Sequence, residues 1–293
     1  MPKGQIRKAL SGFYYVKDGD RFVQCRGRGV FRNRQISPLV GDFVDYEAEN
    51  DREGTITHVH ERKNELIRPP IANIDQAILV FSAKEPDFHP LLLDRFLTVI
   101  ESYDIEPVII LTKMDLPDAE EKERLARYSE DYRAIGYEVF HVMKGDESLA
   151  AELLPLLAGN TSVLAGQSGV GKSTLLNTLL PELELKTGVI SDALNRGKHT
   201  TRHVELIEVN GGLLADTPGF SSLDFNHIEK EELSGYFPEM AERSPACKFR
   251  ECLHTNEPKC AVKAAVQSGG IPEYRYTHYV QFLEEIMERK PRY

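Results

Sequence analysis

Residues 166–173 read Gly-Gln-Ser-Gly-Val-Gly-Lys-Ser, a G-x-x-x-x-G-K-[ST] pattern. They stand between the apolar run Ser-Val-Leu-Ala at 162–165 and Thr-Leu-Leu-Asn-Thr-Leu-Leu at 174–180. The first run predicts a short buried strand and the second the start of a helix. Strand, glycine-rich turn and helix in that order make a phosphate-binding loop, whereas a glycine-rich turn alone would be only a connection. Gly166, Gln167, Ser168, Gly169, Val170 and Gly171 let successive backbone N–H groups face one anion, and the helix start, with Thr174 in its first turn, adds the positive end of a dipole. Lys172 then reaches the outer phosphates, and the Ser173 hydroxyl is placed to hold magnesium.

A chain of 293 residues suggests two domains, or three with a compact module. No apolar run approaches the roughly 18 residues of a membrane span. The basic N-terminus has no apolar stretch behind it, so no signal peptide is read and a cytoplasmic location is expected. The net charge of −10 excludes a protein coated in nucleic-acid-binding surface. Its distribution is uneven: residues 1–34 hold nine Lys or Arg against two Asp, a balance of +7 that leaves −17 for the rest. That arm reads either as one defined nucleic-acid contact or as a solvated charged face.

From residue 4 to about 68, period-two segments at 5–16, 21–26, 42–47 and 54–60 are separated by turn residues, which predicts a small OB-like β-barrel. Such barrels bind irregular RNA on one face with basic and aromatic residues. Phe22 and Phe31 are candidates, although aromatics at this spacing are more often core. Arg68-Pro69-Pro70 marks a boundary. Beyond it, apolar strands at 76–81, 107–111, 137–142 and 162–165 alternate with helical patterns at 91–103, 119–135 and up to 157, a doubly wound α/β arrangement. Paired strands at 202–209 and 213–215 close on Asp216-Thr217-Pro218-Gly219, and from Glu229 the chain reads as acidic and helical.

Asp216 and Gly219 follow a buried strand, where a magnesium-side carboxylate and a backbone N–H for the γ-phosphate are needed. Thr112-Lys113-Met114-Asp115 follows the strand at 107–111 and is a form of [NT]-K-x-D. Its aspartate can accept from both N1–H and the 2-amino group of guanine, a pair that adenine lacks, which opposes an adenine-nucleotide kinase or ATPase reading. All three motifs sit at carboxyl ends of apolar strands, where open α/β sheets bind ligands. The base motif precedes the phosphate loop, an order that a circular permutation would produce. Cys247, Cys252, His254 and Cys260 follow C-x4-C-x-H-x5-C, enough ligands to fill one tetrahedral zinc site with no position for water, hence structural zinc. Cys25 is left over on a barrel strand.

Barrel, T-K-x-D, G-Q-S-G-V-G-K-S, Gly197-Lys198-His199-Thr200-Thr201-Arg202, D-T-P-G-F and the cysteine cluster together resemble the RsgA (YjeQ/YloQ) family of circularly permuted, ribosome small-subunit-dependent GTPases. The resemblance covers the whole chain. It implies three domains: an OB-like RNA-binding barrel (1–68), a permuted P-loop GTPase domain (69–222) and a mostly helical zinc-binding module (223–293). It also implies GTP hydrolysis stimulated by the small ribosomal subunit during late maturation, with barrel and zinc module on rRNA. GTP, GDP and guanosine tetra- or pentaphosphate are the implied nucleotides, for a monomeric protein that does not enter membranes. A GTP-switched rRNA-binding factor, hydrolysing only for release, is the alternative.

By the same resemblance Thr201, with Thr200 as second choice, is the switch threonine that joins Ser173 and Asp216 at magnesium. Phe220 stands where many GTPases carry the water-positioning glutamine, and a phenyl ring cannot orient water. His199 is therefore the candidate for that role. The loop that supports the guanine ring is His141-Val142-Met143-Lys144, a departure from the serine-rich family pattern.

Overall fold

The computed structural model describes residues 1–27, 37–48, 50, 52–67, 69–146, 149–179, 204–216 and 223–289. In chain order these form β1 (Lys3–Leu10), β2 (Phe13–Asp18), β3 (Arg21–Gly27), β4 (Phe43–Ala48), β5 (Glu53–Val59), and the short pair β6 (Glu65–Leu66) and β7 (Ile71–Ala72). There follow β8 (Gln76–Ser82), α1 (Pro90–Glu101), β9 (Glu106–Thr112), α2 (Ala119–Ile135), β10 (Glu138–His141), α3 (Leu149–Leu157), β11 (Thr161–Ala165) and α4 (Lys172–Leu179). The last elements are β12 (Glu205–Val209), β13 (Gly212–Asp216), α5 (Pro238–Ala241), α6 (Ala261–Gln267) and α7 (Glu273–Met287).

Strands β1–β5 close into a barrel. β1 pairs with both β2 and β4, β2 with β3, and β5 with β3 and β4. Alternate residues fill the interior, with Ile6, Val16, Val23, Cys25, Val44, Tyr46 and Ile56 all buried, as a period of two demands. The segment 5–16, read from its alternation as one strand, is a hairpin. Ser11 and Gly12 turn at φ 51° and 84°, with Leu10 opposite Phe13, and two successive positive φ values match the twist of the flanking strands. Phe22 is not core: it is 55% exposed, with the Lys17 ammonium 5.8 Å from its ring centroid. Phe31 lies outside the described residues.

The chain divides into two compact units, one of residues 1–80 and 142–222, the other of 81–141 and 223–293. In the first, β11 lies parallel between β8 and β13, β12 returns antiparallel to β13, and β1 continues the sheet through the pair Lys8↔Glu205. β8 and β11 are buried along their whole length, which requires the continuous apolar runs seen in their sequences. The β1–β12 junction also carries ion pairs. Lys8 meets Glu205 at 2.6 Å, Arg7 lies 3.6 Å from Glu208, and Lys17 pairs with Glu208 too. Three cations of the basic N-terminal arm thus face carboxylates of the same unit.

In the second unit β9 and β10 run parallel. α2 begins with a capping box in which Asp118 accepts the Glu121 N–H and Glu121 accepts the Asp118 N–H, satisfying two of the free donors at a helix start. The segment from Glu229, read as helical, holds only short pieces before α6: 3-10 turns at Leu233–Tyr236 and Ser244–Ala246 flank α5. Pro238 and Pro245 lack the N–H a longer helix would need. Fully buried Arg275 of α7 donates to both carboxylate oxygens of Glu239 (2.7 and 3.1 Å) and to Asp94 of α1 (2.6 Å). Asp94 also accepts from the Tyr132 hydroxyl at 2.7 Å and contacts His278 Nδ1 at 2.5 Å. These buried charges are paired and hydrogen-bonded to one another, the condition under which buried ions persist.

Candidate functional site

The phosphate loop is built as its sequence requires. β11 delivers the chain at Gly166, whose φ is 141°, and Gly169 and Gly171 also take positive values of 82° and 96°. A Cβ on Gly166 would stand 2.1 Å from the Val80 carbonyl oxygen, so both the conformation and the space exclude a side chain. Val170 is buried and anchors the loop, while Gln167, Ser168 and Gly169 are exposed at its rim. Lys172 opens α4, followed by Ser173 and Thr174, and its ammonium donates to the carbonyls of Gly166 (2.7 Å) and Gln167 (2.5 Å). Burial pushes the Lys172 pKa down, yet the two carbonyls arch the side chain back over the loop where an anion would meet it.

Asp216 ends β13, which lies parallel to β11 with Ala215 opposite Val163. Gly219 and the switch residues His199, Thr200 and Thr201 lie outside the described residues, as does Phe220.

The second unit carries the T-K-x-D turn. β9 is buried from Pro107 to Thr112, and the Thr112 hydroxyl donates to the Phe81 carbonyl at 3.2 Å. Lys113 turns the chain at φ 56°, the Leu116 N–H closes the turn onto the Lys113 carbonyl at 3.1 Å, Met114 is buried beneath, and Asp115 is exposed. The carboxylate thus stands just past the carboxyl end of a buried strand, where open α/β sheets bind ligands. The Lys113 ammonium donates to the backbone carbonyl of Glu85, a partner 28 residues earlier that no motif announces. In the departing loop, His141 Nε2 contacts the Ser129 hydroxyl of α2 at 2.7 Å, and burial, then Arg133, lowers its pKa. Met143 is exposed.

Cys247, Cys252, His254 and Cys260 converge, with their ligand atoms all within 4.8 Å of one another, and could hold a metal ion. His254 Nδ1 lies 3.7 Å from Cys247 Sγ and 3.3 Å from Cys260 Sγ, while the two sulfurs are 3.9 Å apart. The loop is held from outside the cluster. The Glu257 carboxylate accepts the N–H groups of Leu253 (2.8 Å) and Thr255 (2.9 Å), and the hydroxyls of Tyr276 and Tyr279 donate to the carbonyls of His254 and Leu253. The other ring nitrogen of His254 contacts the Ser244 hydroxyl at 3.2 Å, a second contact of the kind that orients ligating imidazoles.

Comparison with known proteins bears on the chain as a whole. Residues 59–226 match the family described as RsgA GTPase, and residues 3–56 match the RsgA N-terminal domain. Proteins named small ribosomal subunit biogenesis GTPase RsgA from Bacillus subtilis strain 168 and Bacillus cereus strain ATCC 10987 are 58% and 61% identical, with 100% of each chain covered in both cases. The crystal structure of YloQ, a circularly permuted GTPase, superposes with a TM-score of 0.86 at 54% identity, covering 100% of this chain and 97% of that one. YjeQ from Thermotoga maritima gives 0.85 at 35% identity, with 99% of each chain covered. With family models matched over residues 3–56 and 59–226 and full-length relatives at about 60% identity, the chain belongs to the RsgA family of circularly permuted GTPases and hydrolyses GTP.

Proposed function

We propose that this GTPase binds the small ribosomal subunit and acts in its late maturation, with the subunit stimulating GTP hydrolysis. The carrying observation is end-to-end likeness: relatives named for small-subunit biogenesis align over 100% of both chains, from barrel to cysteine cluster. The domains are taken as 1–68, 69–222 and 223–293, working in the cytoplasm as a monomer.

In this reading GTP lays its phosphates on residues 166–173 and its base on Thr112, Lys113 and Asp115. Lys172 contacts the β- and γ-phosphates, and the Gly219 N–H meets the γ-phosphate. Ser173, Thr201 and Asp216 would hold magnesium, which neutralises charge on the phosphate oxygens when bound. His199 orients the attacking water in place of the glutamine that Phe220 replaces. Guanosine tetra- and pentaphosphate share the base and phosphate groups that these contacts recognise, and so compete with GTP.

The cysteine cluster is assigned to one structural zinc ion. Tetrahedral zinc with Zn–S near 2.3 Å and Zn–N near 2.0 Å gives S···S edges of about 3.8 Å and S···N edges of about 3.5 Å. The separations of 3.9, 3.7 and 3.3 Å among Cys247, His254 and Cys260 fit three edges of that polyhedron, and Cys252 lies within 4.8 Å of all three. On the barrel, Phe22 beneath Lys17 and Phe13 beneath Arg26 (5.0 Å to the ring centroid) are the candidates for stacking and phosphate contact with rRNA.

Co-sedimentation with purified small subunits tests the proposal. With a non-hydrolysable GTP analogue the chain should pellet with the subunit, and with GDP it should be released. Equal pelleting in both states, or none in either, would contradict the switch.

A further inference from the structure

The exposed Glu85 backbone sits at φ 56°, and so does Lys113, two non-glycine residues in the left-handed region. Such conformations are strained and persist where surrounding structure enforces them, often around ligand sites. Here the two positions meet, because the Lys113 ammonium donates to the Glu85 carbonyl. The loop 83–88 that supplies this carbonyl is fixed at several points. Buried Ser82 donates its hydroxyl to the Pro86 carbonyl (2.5 Å), the Ala83 N–H donates to the Thr112 carbonyl (2.8 Å), and Phe88 packs edge-on to Phe81 and against Tyr128. Lys84 pairs at 2.5 Å with Glu121, the carboxylate that also closes the capping box on Asp118. One glutamate therefore ties the loop to the far end of the T-K-x-D turn.

We propose that loop 83–88 is a positioning element of the guanine site: the Glu85 carbonyl holds Lys113 extended, and the Lys84–Glu121 pair locks that carbonyl to the turn bearing Asp115. The proposal rests on the reading of Lys113 and Asp115 as the guanine contacts. A free lysine gives up much of its rotamer freedom when it is pressed against a ligand. A lysine already held by its ammonium offers its apolar stem to the face of a base with that loss largely met during folding. The loop contributes through a backbone carbonyl and an ion pair outside any motif, and it acts on binding of the base equally in ground and transition states.

The test is the Kd for GDP by calorimetry together with kcat and KM for GTP, with thermal unfolding of each variant as the folding control. Glu85→Val places a β-branched residue where φ is positive and should swing the carbonyl away. It is expected to weaken GDP about tenfold and raise KM by a similar factor, with kcat at saturating GTP unchanged. Glu85→Gly accepts the same backbone conformation and should recover most of that loss. Lys84→Met, which leaves the loop backbone free to fold, is expected to weaken GDP about threefold, and Lys84→Arg to restore it. The proposal is overturned if Glu85→Val and Lys84→Met bind GDP like the wild type, if Glu85→Gly loses as much as Glu85→Val, or if the loss falls on kcat. Wild-type protein that fails to prefer GDP over ADP would instead sink the assignment of Lys113 and Asp115 itself.

Discussion

Asp115 stands at an exposed turn whose backbone is closed by the Leu116 N–H and anchored by buried Met114. Asp115→Asn replaces one acceptor oxygen by an amide donor. A donor faces the 2-amino group of guanine unfavourably but suits the 2-carbonyl of xanthine. The variant should lose GTP affinity by about a hundredfold or more and gain xanthosine triphosphate as substrate, as measured by competition binding. Retained preference for GTP would remove Asp115 from the base site. At this scale the glycines and Lys172 were legible, because a phosphate loop admits few residue types. The Lys113–Glu85 contact was not, since a main-chain carbonyl leaves no mark in a sequence. Phe22 stayed open between core and surface for a related reason: alternation places it on a barrel strand without saying whether it faces in or out.

Helix α7 shows what an element can hide. Its sequence announces an amphipathic helix, yet fully buried Arg275 lies in the face expected to be apolar, bonded to Glu239 and Asp94. The two carboxylates lie far from it in the chain, so periodicity could not reveal the triad. Arg275→Met would fill similar volume but leave Asp94 and Glu239 buried without their cation, and should cost about 3–5 kcal/mol of stability by denaturant unfolding. A change below about 1 kcal/mol would show that the triad is easily dispensed with. The hairpin at Ser11-Gly12 was missed because apolar alternation runs through it almost unbroken. The cap of α2 lay in plain view, as Asp118 with Glu121 three residues on.

Across the whole molecule, part of the charge of the basic N-terminal arm is engaged within its own unit. Arg7, Lys8 and Lys17 pair with glutamates of β12 within their unit, so these positions serve packing as well as any contact with RNA. The fold class was legible because three motifs and a cysteine pattern each imply a supporting architecture; charge counting alone could not separate internal from external partners. The cysteine cluster gives a test of integrity at the same scale. Purified protein should carry one zinc per chain by elemental analysis, and stripping it with a strong chelator should lower the thermal midpoint. A metal-free preparation with an unchanged midpoint would contradict the structural role.

The segment after Asp216 leads directly into the residues preceding the cysteine cluster. We therefore expect loss of the γ-phosphate to be felt by the module that the proposed function places on rRNA. That account depends on the subunit acting as the activator. The decisive measurement is the multiple-turnover rate of GTP hydrolysis by wild type and His199→Ala, each with and without purified small subunits. Stimulation of the wild type by about tenfold or more, lost in His199→Ala, is the result expected. An equal wild-type rate with and without subunits would contradict it.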